Sequence, residues 1–140
     1  MVLKKWLLRQ LPSQTGFLFE TVTHRTDVLE LDARWEGNTD RLLRFRFVDH
    51  VAFLATGEFG MEFYVEERSE RGSCFFIAEK SMFRELCING GNEVGDWKSV
   101  KSFVFADTES WFEVLSPTPP EVWLDGELLL DIDLPTSSGG

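Results

Sequence analysis

One stretch decides the fold, residues 78–116, AEKSMFRELCINGGNEVGDWKSVKSFVFADTESWFEVLS. Its first third predicts a short helix, because Ser81 can cap a helix N-terminus by accepting a backbone hydrogen bond. The apolar face of that helix is predicted at Met82, Phe83 and Leu86. A glycine-rich loop follows, and two β-prone runs around the turn DTES then predict a β-hairpin. The rest of the chain is arranged to supply a sheet around this unit.

Short β-prone runs fill most of the remaining sequence. Apolar and charged residues alternate at 28–35 and 43–47, which is typical of half-buried antiparallel strands. The alternation changes phase near Asp49, which predicts a β-bulge or a bend. The dipeptide Asp125-Gly126 between two apolar runs predicts a two-residue type I′ hairpin. Further strands are predicted at 17–22, 51–55, 59–66, 73–78, 100–106, 111–115, 121–124 and 127–130, and a short helix or an edge strand at 3–11.

These patterns predict a mainly β fold, with α+β as the alternative. About nine short strands without strand–helix alternation disfavour a parallel sheet. We therefore expect a single curved antiparallel sheet or a partly open barrel, with one or two short helices. A chain of 140 residues has the usual size of one domain. Residues 1–134 are predicted to form a single globular domain and residues 135–140 a disordered C-terminal tail.

The overall composition excludes several classes of partner. A net charge of −10 argues against nucleic acid, whose phosphates are bound mainly by Lys and Arg. No apolar run approaches the roughly 20 residues of a membrane-spanning helix. The N-terminal segment lacks the pattern of a signal peptide, so we expect a soluble cytoplasmic protein without a membrane partner. Cys74 and Cys87 are expected to be reduced core residues and not a disulfide framework.

The charge is distributed unevenly along the chain. No Lys, Arg or His follows Lys101, whereas eight of the 24 acidic residues do. The first 101 residues carry the other 16 acids and all 14 Lys and Arg, and so sit near −2. An acidic segment of this kind can steer a basic partner toward the protein, or can simply be a solvated face that keeps it soluble. The acidic residues of the segment are Asp107, Glu109, Glu113, Glu121, Asp125, Glu127, Asp131 and Asp133.

No motif predicts catalysis, a metal or a cofactor. The candidate metal ligands show neither CxxC nor HxxxH spacing, and both cysteines lie in apolar contexts that make a thiol inert. GxSxG, P-loop and GxGxxG motifs are lacking as well. We therefore predict no catalytic residues, no metal site and no cofactor, and we lean against an enzyme. The metal-ligand candidates considered are His24, His50, Cys74 and Cys87.

The tryptophans are the best indication of a contact surface. Trp suits cores and protein interfaces alike, because it buries a large area and carries one donor. Trp35 continues an apolar alternation and is predicted to be core. Trp97 lies in a polar loop and is predicted as a loop contact with a partner. The predicted partner-binding residues are Trp111, Glu113, Glu121, Trp123, Asp125 and Glu127.

The central stretch also carries a resemblance. An acidic residue and a serine precede a short aromatic helix, and an aromatic strand, an acidic turn and a strand ending in Val-Leu-Ser follow. This pattern resembles small bacterial single-domain proteins, some of them presumed toxin-immunity proteins. The resemblance implies a soluble bacterial protein without catalysis and transfers no catalytic residues. It rests on Glu79, Ser81, Phe83, Ser102, Phe103, Phe105, Glu113, Val114, Leu115 and Ser116.

Two hypotheses about function follow. The first is a non-enzymatic module that docks a basic protein through its acidic C-terminal hairpins, as an immunity-type inhibitor of a basic toxin would. The alternative is a small-molecule binding protein or enzyme with an aromatic pocket inside the curved sheet. A homodimer through an edge strand fits both hypotheses. The pocket is predicted to be lined by Phe45, Phe47, Phe63 and Phe76.

Overall fold

The computed structural model describes residues 1–57, 65–90 and 96–135. One α-helix, α1 Met82–Asn89, and one 3₁₀ turn, Trp97–Ser99, lie in these ranges. The strands are β1 Val2–Lys5, β2 Leu7–Leu8, β3 Phe17–Arg25, β4 Val28–Trp35, β5 Asn38–Phe47, β6 Ala52–Gly57, β7 Phe75–Glu79, β8 Lys101–Ala106, β9 Ser110–Ser116, β10 Glu121–Leu124, β11 Glu127–Leu129 and β12 Ile132–Asp133.

The strands divide into three antiparallel sheets, none closed into a barrel. Sheet A has the order β1-β7-β8-β9-β6, and sheet B has the order β11-β10-β5-β4-β3. A small sheet pairs β12 with β2. The prediction of a mainly β, antiparallel fold with one or two short helices is thus confirmed. The N-terminal segment, predicted as a helix or an edge strand, forms β1 at an edge of sheet A.

Sheets A and B pack their inner faces against each other around an aromatic core. Alternation along β5 turns Phe45 and Phe47 inward, where both are buried. The ring centroid of Phe45 lies 4.7 Å from that of Phe105 in β8 and 5.2 Å from that of Phe75 in β7. Trp6, between β1 and β2, is fully buried in the same cluster. The interior is therefore filled by rings from both sheets.

The chain crosses from sheet B to sheet A where the sequence predicted a bulge or a bend. Phe47 pairs with Leu29 in sheet B, whereas Ala52 already pairs with Leu115 in sheet A. The change of phase near Asp49 is caused by this crossover. When the chain enters another sheet, which alternate side chains point toward the core no longer depends on the alternation of the preceding strand. The register shifts of sheet B lie elsewhere, between Phe19 and Thr21 and between Ala33 and Trp35.

Sheet A is buried on both faces. Its outer face carries a second apolar cluster, to which Phe76, Val104 and Trp111 belong. The central residues of β8 and β9 are consequently buried one after another, with no exposed alternate positions. The outer face of sheet A therefore has an apolar environment separate from the core between the two sheets.

Helix α1 begins as predicted but does not bury the predicted face. The Ser81 hydroxyl accepts a hydrogen bond from the backbone N–H of Arg84 at 3.1 Å, which confirms the N-cap. Met82 and Leu86 are 44% and 69% exposed, so the predicted burial of this face is wrong for these two residues. The helix is anchored instead by Arg84, whose guanidinium donates to the carbonyl oxygens of Trp97 and Val100.

Several predictions fall wholly or partly outside the described residues. Among these are most of the predicted strand at 59–66, the pocket residue Phe63, the glycine-rich loop at 91–95 and the tail from residue 136 onward. Cys74 is buried and Cys87 is half-buried, and the two form no disulfide. Burial raises the pKa of the Cys74 thiol, in keeping with an inert core cysteine.

The β10–β11 hairpin has the predicted two-residue turn. Asp125 and Gly126 both adopt positive φ, 51° and 85°, and Leu124 pairs directly with Glu127. The Asp125 carboxylate ties the turn to β5 by accepting hydrogen bonds from the backbone N–H of Leu42 at 2.8 Å and from Arg41 Nε at 2.6 Å. These contacts fix the orientation of the hairpin on sheet B.

Gly126→Ala should lower the free energy of unfolding by about 1–2 kcal/mol, the cost of a Cβ in the left-handed region. A Cβ at Gly126 would meet no atom within 4 Å, so backbone strain is the whole effect. Gly37 is a matched control, since its Cβ would also meet nothing within 4 Å and its φ is not positive. Urea unfolding of both variants checks this, and equal losses for the two would contradict it.

Candidate functional site

The six predicted partner-binding residues separate into two groups. Trp111 and Glu113 lie in β9 and are 7% and 0% exposed. The other four lie on the β10–β11 hairpin, at an edge of sheet B. Alternation along β9 turns Phe112 and Val114 into the core between the sheets and places Trp111 and Glu113 on the outer face of sheet A, which is covered too. Their assignment to an exposed docking face is therefore corrected.

The hairpin presents an apolar pair with acidic neighbours. Trp123 in β10 pairs directly with Leu128 in β11, and both lie on the outer face of sheet B. Trp123 is half-buried and Leu128 is 42% exposed, while Leu130 just beyond β11 is 82% exposed. Glu121 accepts a hydrogen bond from the Trp123 indole at 3.3 Å. We define the hairpin surface as Glu121, Trp123, Asp125, Glu127, Leu128 and Leu130.

A groove runs beside the hairpin surface on the same face of sheet B. Its volume is about 360 Å³, and Trp123 forms part of its wall. Arg44 in its lining is held by Asp32, at 2.8 Å from Arg44 Nε, and by Glu30 at 3.0 Å. Its lining residues are Glu30, Leu42, Arg44, Arg46, Trp123 and Gly126.

Arg46 in this groove lies between two carboxylates. Its register partners are Glu30 on one side and Glu121 on the other. Its buried Nε nevertheless has no hydrogen-bond partner within the described residues. The arginines of β5 thus balance the acids at the centre of the sheet, and the acidic surplus lies toward the hairpin.

The acidic residues of the C-terminal segment differ in how much of their charge is available. Asp125 is held by Arg41, and its pKa is lowered mainly by the hydrogen bond from the Leu42 backbone and secondly by Arg41. Asp131 and Asp133 share Arg9, at 3.9 and 2.7 Å. In the described part of the chain, neither Glu121 nor Glu127 forms an ion pair; Glu121 lies half-buried opposite Arg46, and Glu127 is exposed.

Asp107 shows that part of the acidic segment is structural. Its carboxylate accepts hydrogen bonds from the backbone N–H groups of Glu109 and Ser110 at 2.7 and 2.6 Å, which shapes the β8–β9 turn. The other oxygen accepts from the backbone N–H of Phe19 in β3 at 2.8 Å. One carboxylate thereby ties sheet A to sheet B and is fully engaged within the protein.

A larger groove lies against the outer face of sheet A. It has a volume of about 540 Å³, within the range of small-molecule sites. Phe76 and Trp111 give it apolar walls, and the indole N–H of Trp111 has no hydrogen-bond partner within the described residues. Asp107 and Arg71 also line it and supply charge of both signs.

The described residues of the predicted aromatic pocket do not line one common cavity. Phe45 and Phe47 are packed against other rings between the sheets, and Phe76 lies on the opposite face of sheet A. Phe63 is outside the described residues. Alternation alone could not place Phe76, because its neighbour Phe75 takes the inward position in β7. Of the predicted lining, Phe76 borders the groove on sheet A.

The buried Glu113 has an unusual environment. The Ser81 hydroxyl donates a hydrogen bond to Glu113 Oε2, so the N-cap of α1 is fastened to β9. Glu113 Oε1 and the Ser102 hydroxyl have no hydrogen-bond partner within the described ranges. Burial raises the pKa of Glu113 above its ordinary value of 4.5, and the hydrogen bond from the Ser81 hydroxyl acts in the opposite direction. Burial therefore shifts the carboxyl group toward its protonated form relative to an exposed glutamate.

Trp97 lies in the 3₁₀ turn, half-buried beneath α1. The Arg84 guanidinium stands 5.8 Å from the centroid of its ring, in cation–π geometry. The loop contact predicted for Trp97 is therefore in part an internal contact that seats α1.

Among residues 1–57, 65–90 and 96–135, no three His, Cys, Asp or Glu side chains come together as ligands for a metal ion. No helix in these ranges is long and apolar enough to cross a membrane. Compared with protein-family models, curated proteins and solved structures, the chain gave no match. Function must therefore be argued from the surfaces described above.

Sequence reasoning missed two features of these surfaces. The groove arginines Arg44 and Arg46 were visible as the outward positions of an alternating strand, but nothing in the sequence placed them beside Trp123. Leu128 was passed over because a run of three leucines hides which one faces solvent. The pairing of β10 with β5 places Trp123 opposite Arg44, and the pairing of β10 with β11 places it opposite Leu128.

Proposed function

We propose that this protein is a non-enzymatic module that binds a basic protein partner through the hairpin surface. The observation that carries the proposal is the outward-facing pair of half-buried Trp123 and exposed Leu128, with Glu121 on the same face and Glu127 next to the turn, neither of them in an ion pair within the described part of the chain. An aromatic anchor next to accessible apolar area is the usual composition of an interface hot spot. The role that fits best is an immunity-type inhibitor of a basic toxin.

Charge supports a basic occupant. The chain carries a net charge of −10, and the hairpin belongs to the segment that follows the last Lys, Arg or His. Complementary charge raises the rate of encounter and penalises partners of the same sign. The exposed leucines and Trp123 would then supply the desolvated centre, and the carboxylates the polar rim.

Affinity capture from native lysate with hairpin variants tests the proposal. The wild-type chain should retain a basic protein at low salt and release it at high salt, because the rim charges are screened. The double variant Trp123→Ala/Leu128→Ser should bind that protein at least about 30-fold more weakly, the effect of losing about 2 kcal/mol at a hot spot. Affinities are then measured with the purified partner.

Leu86→Ser is the matched control, because Leu86 is a 69% exposed leucine on α1, away from the hairpin. It should bind the partner as the wild type does. Circular dichroism of both variants establishes that they are folded. Equal binding by the hairpin variant and the control would refute the assignment to this surface.

A small-molecule binding function is the second candidate, and the groove on sheet A favours it. Its volume of about 540 Å³ and the Trp111 indole N–H, which has no hydrogen-bond partner within the described ranges, suit a ligand with an acceptor group. If no basic protein is captured, a fragment screen that follows the Trp111 indole resonance separates this candidate from the first.

A further inference from the structure

The two histidines of the chain meet at one place on the surface. His24 lies near the end of β3, the edge strand of sheet B, and His50 lies in the crossover between sheets B and A. Their Nε2 atoms are 3.1 Å apart. The rings are arranged edge to face, with centroids 5.1 Å apart and an interplanar angle of 79°. Two imidazole nitrogens thus face each other across the junction of the sheets.

An aromatic side chain packs beside both rings, and the two rings differ in exposure. Phe53 in β6 packs beside them, with centroid distances of 5.1 Å to His24 and 6.4 Å to His50. His24 is exposed and His50 is half-buried. The Nδ1 atom of His50 has no hydrogen-bond partner within the described residues. The two rings are therefore restricted by packing, and within the described residues no hydrogen bond to Nδ1 holds the His50 ring.

The separation of the nitrogens matches that of two ligands on one metal ion. Imidazole nitrogens bind Zn²⁺ at about 2.0–2.1 Å, so two of them lie about 2.9 Å apart at a right angle and about 3.4 Å apart at the tetrahedral angle. The observed 3.1 Å lies between these values.

The groups around the pair act on positive charge in both directions. Burial first, and then the neighbouring His24, lower the pKa of His50. The Asp27 carboxylate, in the β3–β4 turn, acts on His50 in the opposite direction by favouring positive charge. A bound metal ion would gain from the same carboxylate.

We propose that His24 and His50 form a surface site for one divalent transition-metal ion of the kind that prefers imidazole, with water completing its coordination. The ion bridges the edge of sheet B and the crossover into sheet A. Because the two ligands are 26 positions apart in the sequence, the unfolded chain lacks this site. Binding therefore stabilises the folded state in proportion to the logarithm of the free metal concentration.

Titration calorimetry of the untagged chain tests the site. One ion per chain should bind, with Cu²⁺ tighter than Ni²⁺ or Zn²⁺ as imidazole ligation predicts. Mg²⁺ and Ca²⁺, which prefer oxygen ligands, should give no heat of binding. His24→Gln should weaken Cu²⁺ and Ni²⁺ binding at least about tenfold, since loss of even an outer partner costs a metal site that much. Cys87→Ser is the control and should bind as the wild type does.

Thermal unfolding with and without Ni²⁺ provides a second readout. The wild type and Cys87→Ser should melt at a higher temperature with Ni²⁺, and His24→Gln should not. The exposed position of His24 makes this variant safe for folding, and His50→Gln should repeat the result. Unchanged binding in His24→Gln, or binding lost in Cys87→Ser instead, would overturn the proposal.

Discussion

Trp6→Ala should lower the free energy of unfolding by about 3–5 kcal/mol, the largest single effect expected in this chain. Trp6 is fully buried, and its ring lies 5.8 to 6.1 Å, centroid to centroid, from four phenylalanine rings of both sheets. Removing it leaves a cavity that rings fixed on two sheets cannot close. The four rings belong to Phe45, Phe75, Phe103 and Phe105.

Urea unfolding followed by circular dichroism measures the loss. Trp6→Phe should cost much less, because it keeps most of the volume and the Trp6 indole N–H has no hydrogen-bond partner in the described part of the chain. Leu130→Ala, at a site 82% exposed, should stay within about 0.5 kcal/mol of the wild type. A loss below about 1 kcal/mol for Trp6→Ala would mean that this core is not packed as described.

Glu113→Gln should make the protein more stable than the wild type at pH 8 but not at pH 4. Burial raises the pKa of Glu113 in the folded state above 4.5. Below 4.5 the folded and unfolded chains are both protonated at this position. Between pH 4.5 and the folded pKa, the unfolded chain releases its proton while the folded chain keeps it. The free energy of unfolding therefore falls over this range and levels off above the folded pKa. Each unit of pKa difference is worth about 1.4 kcal/mol.

The glutamine variant keeps an acceptor for the Ser81 hydroxyl but cannot ionise, so this fall in stability should disappear. Free energies of unfolding at pH 4, 6 and 8 give the comparison. Glu109→Gln is the control, because Glu109 is exposed at the turn that leads into β9, and it should follow the wild-type profile. Parallel profiles for the wild type and Glu113→Gln would contradict an uncompensated buried carboxyl group.

Much of the fold could be read from local patterns. Alternation in β4 and β5, the Ser81 cap and the Asp125-Gly126 turn each depend on neighbouring residues, and the structure confirms all of them. A single curved sheet and two packed sheets show the same alternation of apolar and polar residues. The division into two sheets therefore depends on which strands pair, and alternation does not reveal this. The β2–β12 pair was not predicted, because strands of two residues are too short to show an alternating pattern.

The candidate site was predictable in part. Trp123 and its acidic neighbours stand on a hairpin that sequence alone defined, so four of the six predicted residues lie on that one hairpin. Trp111 and Glu113 were misplaced because a strand buried on both faces hides its outward side. The pair of His24 and His50 gave no signal, because a crossover between sheets brings them together.

The order of strands has a consequence for folding kinetics. β3, β4 and β5 are consecutive, whereas β1 pairs with β7 and β6 pairs with β9, so sheet A requires partners far apart in the chain. Domains dominated by such pairings fold in milliseconds to seconds. A chain leaving the ribosome exposes the apolar side of β4 and β5 until β8 and β9 have been made. Aggregation competes with folding in that interval, and slower translation would lengthen it.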